Sequence, residues 1–386
     1  MKFMLKVILI TVFFISGYGI LFSQETKNEI ITSKASIVND FSSNLMGGIK
    51  QGSVVMGLID LSLTFNTENA KLWKSGEFFI HAQNTHGGNI TGDYVGDIQT
   101  LSNIENGNYT YLYELYYSHN FEKLRICAGI HDLNSEILTS DFGALYLNSS
   151  FGIMPSISMN TPVAIFPHNA LALVLNYNVT DNIKFTGGIY DGNPGSLDDN
   201  KYGFELNLNK DDGFFAITET KYSFLNSEIE KGFIKFGGYY SSMKYQDLSD
   251  STSQIDGNYG VYLITNYMIK PHKDDAEKGL GIHFQAGIVP SKTNNFNSHV
   301  GFGFNYKGIC NKKDDELGLG ITYLSLSKYT QNNFTDKYEI AIELTYNIQL
   351  NEHFSIQPDI HYILNPGMVK SIDNAFVASL RTNVSF

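Results

Sequence analysis

Residues 375–386 read AFVASLRTNVSF. Taken two at a time, Phe376, Ala378, Leu380, Thr382, Val384 and Phe386 form one set, and Val377, Ser379, Arg381, Asn383 and Ser385 form the other. A β-strand puts these sets on opposite faces. The first face is oily and the second carries a charge and small polar groups. That is the pattern of a strand with lipid on one side and water on the other.

The same alternation recurs upstream. IAIELTYNIQL places Ile340, Ile342, Leu344, Tyr346 and Ile348 against Ala341, Glu343, Thr345, Asn347 and Gln349. FSIQPDIHYIL places Phe354, Ile356, Pro358, Ile360, Tyr362 and Leu364 against Ser355, Gln357, Asp359 and His361. GLGIHFQAGI alternates over 279–288, and KLRICAGI alternates over 123–130. YLYELYYS predicts Tyr111, Tyr113, Leu115 and Tyr117 on one face and Leu112, Glu114 and Tyr116 on the other. Helical periodicity is nearly absent, so the chain is all-β. The strands approach the ~9–11 residues that a tilted membrane strand needs. Tyr and Phe gather at strand ends, as in the aromatic girdles of outer-membrane barrels. The polar face carries Glu114, Arg125, Glu219, Lys221, Glu343, Asp359 and Arg381. Burying such groups unpaired in a dry sandwich costs several kcal/mol each, whereas a wet lumen removes that cost.

Sixteen strands are predicted, beginning near 43, 53, 75, 109, 123, 170, 182, 213, 232, 258, 279, 298, 315, 338, 354 and 375. Short connections alternate with longer ones, above all 86–108, 133–169 and 191–212. The predicted fold is therefore a transmembrane antiparallel β-barrel with short periplasmic turns, long external loops and both termini in the periplasm. Sixteen strands enclose an aqueous channel rather than a packed interior. Residues 1–24 read as a secretory signal peptide, with Lys2 and Lys6 ahead of an apolar run. Residues 25–42 are predicted as a periplasmic segment and 43–386 as one barrel domain. No later stretch is long and apolar enough for a membrane helix. With 386 residues, 17% charged and a net charge of −12, the chain is unsuited to nucleic acid. Cys127 and Cys310 match no metal spacing and read as incidental thiols.

FFIHAQNTHGGNITGDYVGDIQTLSNIE (78–105) resembles a segment of the carbohydrate-selective porins, the OprB-like family of Gram-negative outer membranes. LYELYY (112–117), GIHDLNSEI (129–137), LYLNSSFG (145–152), GGIYDGNPG (187–195), YKGICNKKDDELGLGITY (306–323) and IELTYNIQLNEHFSIQPDIHYILNPG (342–367) continue the likeness in order, and LRTNVSF closes it. Lys312 or Lys313 stands where that family usually has arginine. The resemblance implies a monomeric diffusion channel for sugars, often glucose and related monosaccharides, in the outer membrane. Its partners would be carbohydrate solutes, outer-membrane lipids and the barrel assembly machinery, which would read the terminal Phe386. The chain has only two arginines, Arg125 and Arg381, and one tryptophan, Trp73. It departs from any constriction built on several Arg and Trp.

A sugar pore needs hydroxyl partners and aromatic faces at a narrow point, held weakly enough to release solute. The inward Glu77, His81, Glu114, Arg125, Glu343, Asp359, His361 and Arg381 are the candidate lumen ligands. Arg125 is expected to pair with Glu114, and Arg381 with Asp359, or these serve only to stabilise the wall. The long segment 133–169 is the candidate constriction, with Asp132, Glu136, Asp141, Phe166 and His168 at its ends. No catalytic set, metal site or cofactor is expected: His81 and His86 fall on opposite faces, and 191–199 lacks the calcium-loop pattern. The competing readings are a lipase-type barrel enzyme, for which no Gly-x-Ser-x-Gly is present, a structural barrel with a blocked lumen, and a soluble β-lectin.

Overall fold

A computed structural model describes residues 29–386, apart from 205–208, 210, 227–228, 274, 276, 310–313 and 331–333. The expected signal peptide (1–24) and Cys310 therefore lie outside the described residues, as do Lys312 and Lys313. Sixteen strands run β1 (Ile31–Gly48), β2 (Gly52–Asn66), β3 (Gly76–Gly87), β4 (Tyr109–Phe121), β5 (Leu124–His131), β6 (Ala170–Thr180), β7 (Ile183–Asp191) and β8 (Phe214–Asn226). They continue as β9 (Ile229–Gln246), β10 (Gln254–Pro271), β11 (Gly279–Ile288), β12 (Phe296–Lys307), β13 (Glu316–Leu326), β14 (Tyr338–Asn351), β15 (Phe354–Leu364) and β16 (Asp373–Ser385). Each strand pairs with its sequence neighbours, and β1 pairs with β16, which closes the barrel. Closure leaves no unpaired strand edge among the described residues for lipid to meet.

The wall follows the alternation. Leu344, Ile360 and Leu380 are exposed on the outside, while Glu343, Asp359 and His361 are buried inside. An aromatic cluster of Phe65, Trp73, Phe78 and Tyr117 sits at the short-turn rim, where the Trp73 indole donates to the Tyr117 hydroxyl at 2.8 Å. Trp73 is thus a rim residue, remote from any constriction.

Two expectations need correction. The first strand begins at Ile31 rather than near 43, so most of the expected periplasmic segment 25–42 belongs to the wall. The alternation is blurred there by Ser33, Lys34, Ser36 and Asn39, and only the pairing with β2 and β16 defines the strand. In β4 the single face predicted for Tyr111, Tyr113, Leu115 and Tyr117 is split. A bulge shifts the β3–β4 register between His81↔Glu114 and Ala82↔Leu112. One extra residue reverses the facing of everything beyond it. Leu115 stays outside at 44% exposure, while Tyr111 and Tyr113 are buried.

At the seam, Asp40 of β1 stands directly opposite Arg381 of β16. The guanidinium donates from Nε to Asp40 Oδ1 at 2.7 Å and from its terminal nitrogen to Oδ2 at 2.8 Å. This two-point contact differs from the expected Arg381–Asp359 pair. The nearer carboxylate comes from a strand whose inner end had not been read as wall. Removing one partner of a buried pair costs about 3–5 kcal/mol. Arg381→Ala should therefore lower the unfolding free energy in lipid vesicles by that amount, read by Trp73 fluorescence during urea titration. A shift under about 1 kcal/mol would mean that the seam does not depend on the pair.

Candidate constriction of the lumen

Two long connections at one end of the barrel fold back into it. The segment 132–169 crosses the lumen and buries Leu133, Ile137, Leu138, Ile153, Met154 and Ile157 against Val174, Tyr190, Phe215, Ile217, Tyr262 and Ile264 of the wall. The segment 88–108 packs Ile90, Val95 and Leu101 on Met56, Ala341, Ile363 and Val377. Where the loops dock, the inward face is apolar between a few buried carboxylates. It is charged nearer the short-turn end. Glycines on β11–β13 make the room. A Cβ on Gly281 would meet Phe142 at 2.4 Å, one on Gly303 would meet Tyr146 at 2.4 Å, and one on Gly320 would meet Phe151 at 2.6 Å.

Wall carboxylates hold the loops by their backbone amides. Glu343 accepts from the N–H of Leu147 at 2.6 Å and of Asn148 at 3.1 Å. Glu339 accepts from Ile98, Gln99 and Gly367 at 2.7–3.0 Å. Glu219 accepts from Leu138 at 3.1 Å, and Glu114 accepts from Asp132 at 3.1 Å. A carboxylate has about four acceptor sites, and a loop in a lumen has amides that no strand satisfies. Each shortage removes the other. Ser102 and Asn103 of the 88–108 loop also join the Asp40–Arg381 pair.

The predicted lumen residues separate into groups. His81 lies between Asp60, 3.0 Å from Nε2, and Glu114, 3.1 Å from Nδ1, and Gln83 donates to the same Asp60 oxygen at 2.8 Å. Phe79 and Tyr116 pack beside this group with ring centroids 4.9 Å apart. Arg125 pairs with Glu136 rather than with Glu114. The loop brings Glu136 to the arginine from above, and His81 already occupies Glu114. The Arg125 guanidinium lies over the Tyr116 ring at 5.9 Å. Asp359 and Glu343 flank His361 at 2.7 and 3.1 Å. These three present ligand atoms within 4.8 Å of one another, but the two ring nitrogens face different carboxylates, and Glu343 is already engaged with the loop.

Glu77 stays at the short-turn rim, 3.5 Å from the Asn66 amide. Asp141 borders a recess with Phe142, Lys307 and Glu316. Phe166 packs on Tyr113 near the outer mouth, and His168 is half-buried beside it in sequence only. Sequence reading did not select Asp40, Asp60, Lys235 or Glu339, nor the inward course of 88–108. The signal available for these was parity: each falls on the inward set of its strand.

Four acidic groups of the two inward loops have displaced pKa values, and burial pushes the first, Asp97, up to about 6. Burial, reinforced by the Glu114 charge, pushes Asp132 up to about 7. Burial and the charge of Asp97 push Glu105 up to about 8. Burial also presses Glu136 upward, but the His131 hydrogen bond and the Arg125 charge outweigh it and bring Glu136 to about 2. The docked loops thus contain three carboxyls whose protonated form burial favours and one, Glu136, that the His131 hydrogen bond and the Arg125 charge keep ionised.

Glu343→Ala would strand two loop amides, each such bond contributing about 1.5–3 kcal/mol. The 143–151 stretch should then leave the lumen and single-channel conductance should increase. Unchanged conductance in folded protein would show that apolar docking alone holds the loop.

The model of the "Carbohydrate-selective porin, OprB family" matches residues 57–386. The chain is 24% identical to Porin B of Pseudomonas aeruginosa, over 92% of this chain and 87% of that protein. It is also 24% identical to the "Putative porin QuiX" of Acinetobacter baylyi, over 91% and 88% respectively. The fold is similar to Pseudomonas putida OprB solved at high pH, with TM-score 0.85 at 19% identity over 92% of this chain and 94% of that one. The low-pH structure of the same protein gives 0.60 at 14% identity, over 92% of each chain. The alternating strands, the closed sixteen-strand wall and a family match that spans nearly all of it lead to one conclusion: this chain belongs to the carbohydrate-selective porin, OprB family.

Proposed function

We propose that the protein is an outer-membrane porin through which carbohydrates of monosaccharide size, such as glucose, diffuse passively and selectively. The observation that carries this reading is the pair of inward loops pinned to wall carboxylates. They narrow a sixteen-strand lumen that would otherwise pass small solutes indifferently. Below them, the Phe79–Tyr116 aromatic pair adjoins Asp60, His81, Gln83, Glu114 and Arg125. An aromatic face suits the C–H face of a pyranose, and paired carboxylates and amides suit its hydroxyls. These groups already bond one another, so a sugar exchanges partners rather than meeting bare charge, and release stays easy. The site chemistry is that of binding, and family membership points to a channel rather than to a lipase-type enzyme. The 1–24 signal peptide would export the chain, which would act as a monomer. Phe386, hydrogen-bonded through its backbone to Ala35 at the short-turn rim, would be the residue that the assembly machinery reads.

A second reading, a structural barrel with a blocked lumen, draws on the apolar packing of the loops. A liposome-swelling assay separates the two. Glucose should swell proteoliposomes faster than a disaccharide and faster than an amino acid of similar size. Equal rates for all small solutes would remove selectivity, and no swelling by folded protein would leave the blocked barrel.

Loop docking should also respond to pH. Asp132 and Glu105 bind more protons when docked than when solvated, so docking is strongest in acid and weakens as pH rises through roughly 4–8. Glu136 acts oppositely, but its contribution is lost only as pH falls toward about 2. Conductance should therefore be higher at pH 8 than at pH 5, and Asp132→Asn should flatten the profile. A flat wild-type profile would contradict this linkage.

A further inference from the structure

Lys184, Lys221 and Lys235 stand directly opposite one another across β7, β8 and β9, all on the inward set. Arg125 lies on the same side of the lumen, two strands away on β5, and faces Asn176 of β6. Like charges directly opposite in a sheet repel, and three of these four cations have an answering carboxylate. Arg125 has Glu136, Lys221 has Glu230 at 2.9 Å, and Lys235 has Glu219 at 3.2 Å. Lys184 is half-buried and has no ion pair or hydrogen bond among the described residues.

Lys184 borders two recesses at the short-turn end, of about 440 and 480 Å³. The larger faces the turn residues Asp181 and Asn182, and the other faces Arg125 with its partner Glu136, Ser135 and Thr139. Glu122 and Asp181 line them from the turn tips and form no ion pair with Lys184. The amides of Asn120 and Asn178 border the same space and have no side-chain partner among the described residues. The wall thus offers one ammonium without an ion pair among amides and hydroxyls, beside a Glu136 carboxylate that Arg125 holds, at a scale that suits a small ligand.

We propose that Lys184 is an anion subsite at the periplasmic exit of the pore, taking the carboxylate or phosphate of an acidic carbohydrate while Asn120 and Asn178 meet its hydroxyls. The assignment rests on the porin reading. An ammonium repelled by three neighbours gains from an incoming anion, and a neutral sugar gives it no such gain. The exit would favour acidic sugars that the aromatic pair above does not distinguish.

The test uses full-length, detergent-folded protein, titrated calorimetrically with sodium gluconate, glucose 6-phosphate, inorganic phosphate and glucose. Gluconate and glucose 6-phosphate should bind more tightly than glucose. Lys184→Gln should weaken both by about fivefold, the value of one exposed charge pair, and Lys184→Arg should restore them. Unchanged affinity in Lys184→Gln would overturn the subsite. Inorganic phosphate binding as tightly as the sugar anions would overturn its carbohydrate character. Proteoliposome uptake supplies the transport arm, in which the gluconate-to-glucose ratio should fall in Lys184→Gln. Failure of the wild type to take up either sugar, with Lys184-dependent binding intact, would sink the porin reading alone.

Discussion

The structure depends on closing the ladder between its first and last strands. In lipid an unpaired N–H or C=O has no water to turn to, so a sheet with an edge cannot persist there. The closing pair runs from Ser36↔Ser385 to Gly48↔Asp373, and Asp40–Arg381 lies within it. That ion pair also receives Ser102 and Asn103 from the first inward loop. One contact therefore joins the two ends of the chain and seats part of the constriction.

The same shortage of partners explains the loops. A segment drawn into a lumen loses water from its amides, and a carboxylate on the inward wall loses water from its oxygens. Glu114, Glu219, Glu339 and Glu343 answer both losses by accepting from loop N–H groups. Charge in this wall is thus divided between holding the constriction and facing solute. The carboxylates beneath the loops are largely committed to the first task. Of the cations on β5 and β7–β9, Lys235 and Arg125 are likewise engaged by the loop, and Lys184 is the one left beside open space without an ion pair among the described residues.

Glycine has a complementary part. Gly281, Gly303 and Gly320 lie on the inward faces of β11–β13, where a larger residue would collide with Phe142, Tyr146 or Phe151. Tyr146 and Phe151 stack with centroids 4.2 Å apart in the trough so formed. Gly318 and Gly320 belong to DELGLG (315–320), where an added Cβ would meet Leu145, Tyr146 or Phe151. This stretch is a place for the loop to lie.

Much was legible from the chain alone, because strand parity is a local property. The two-residue period of residues 375–386 and 354–364 assigned lipid and lumen faces that the wall reproduces. The order of long and short connections foretold a closed even-numbered barrel, and the family resemblance was readable along the chain. The start of β1 was not legible, because Ser33, Lys34 and Asn39 blur its pattern and only its partners define it. Nor was the facing of Tyr111 and Tyr113, which turns on a single bulged residue. The ion pairs were decided by tertiary structure. Parity places Arg125, Arg381, Glu114 and His361 in the lumen, but which carboxylate each meets depends on loop course and barrel closure, and both bring together residues far apart in sequence.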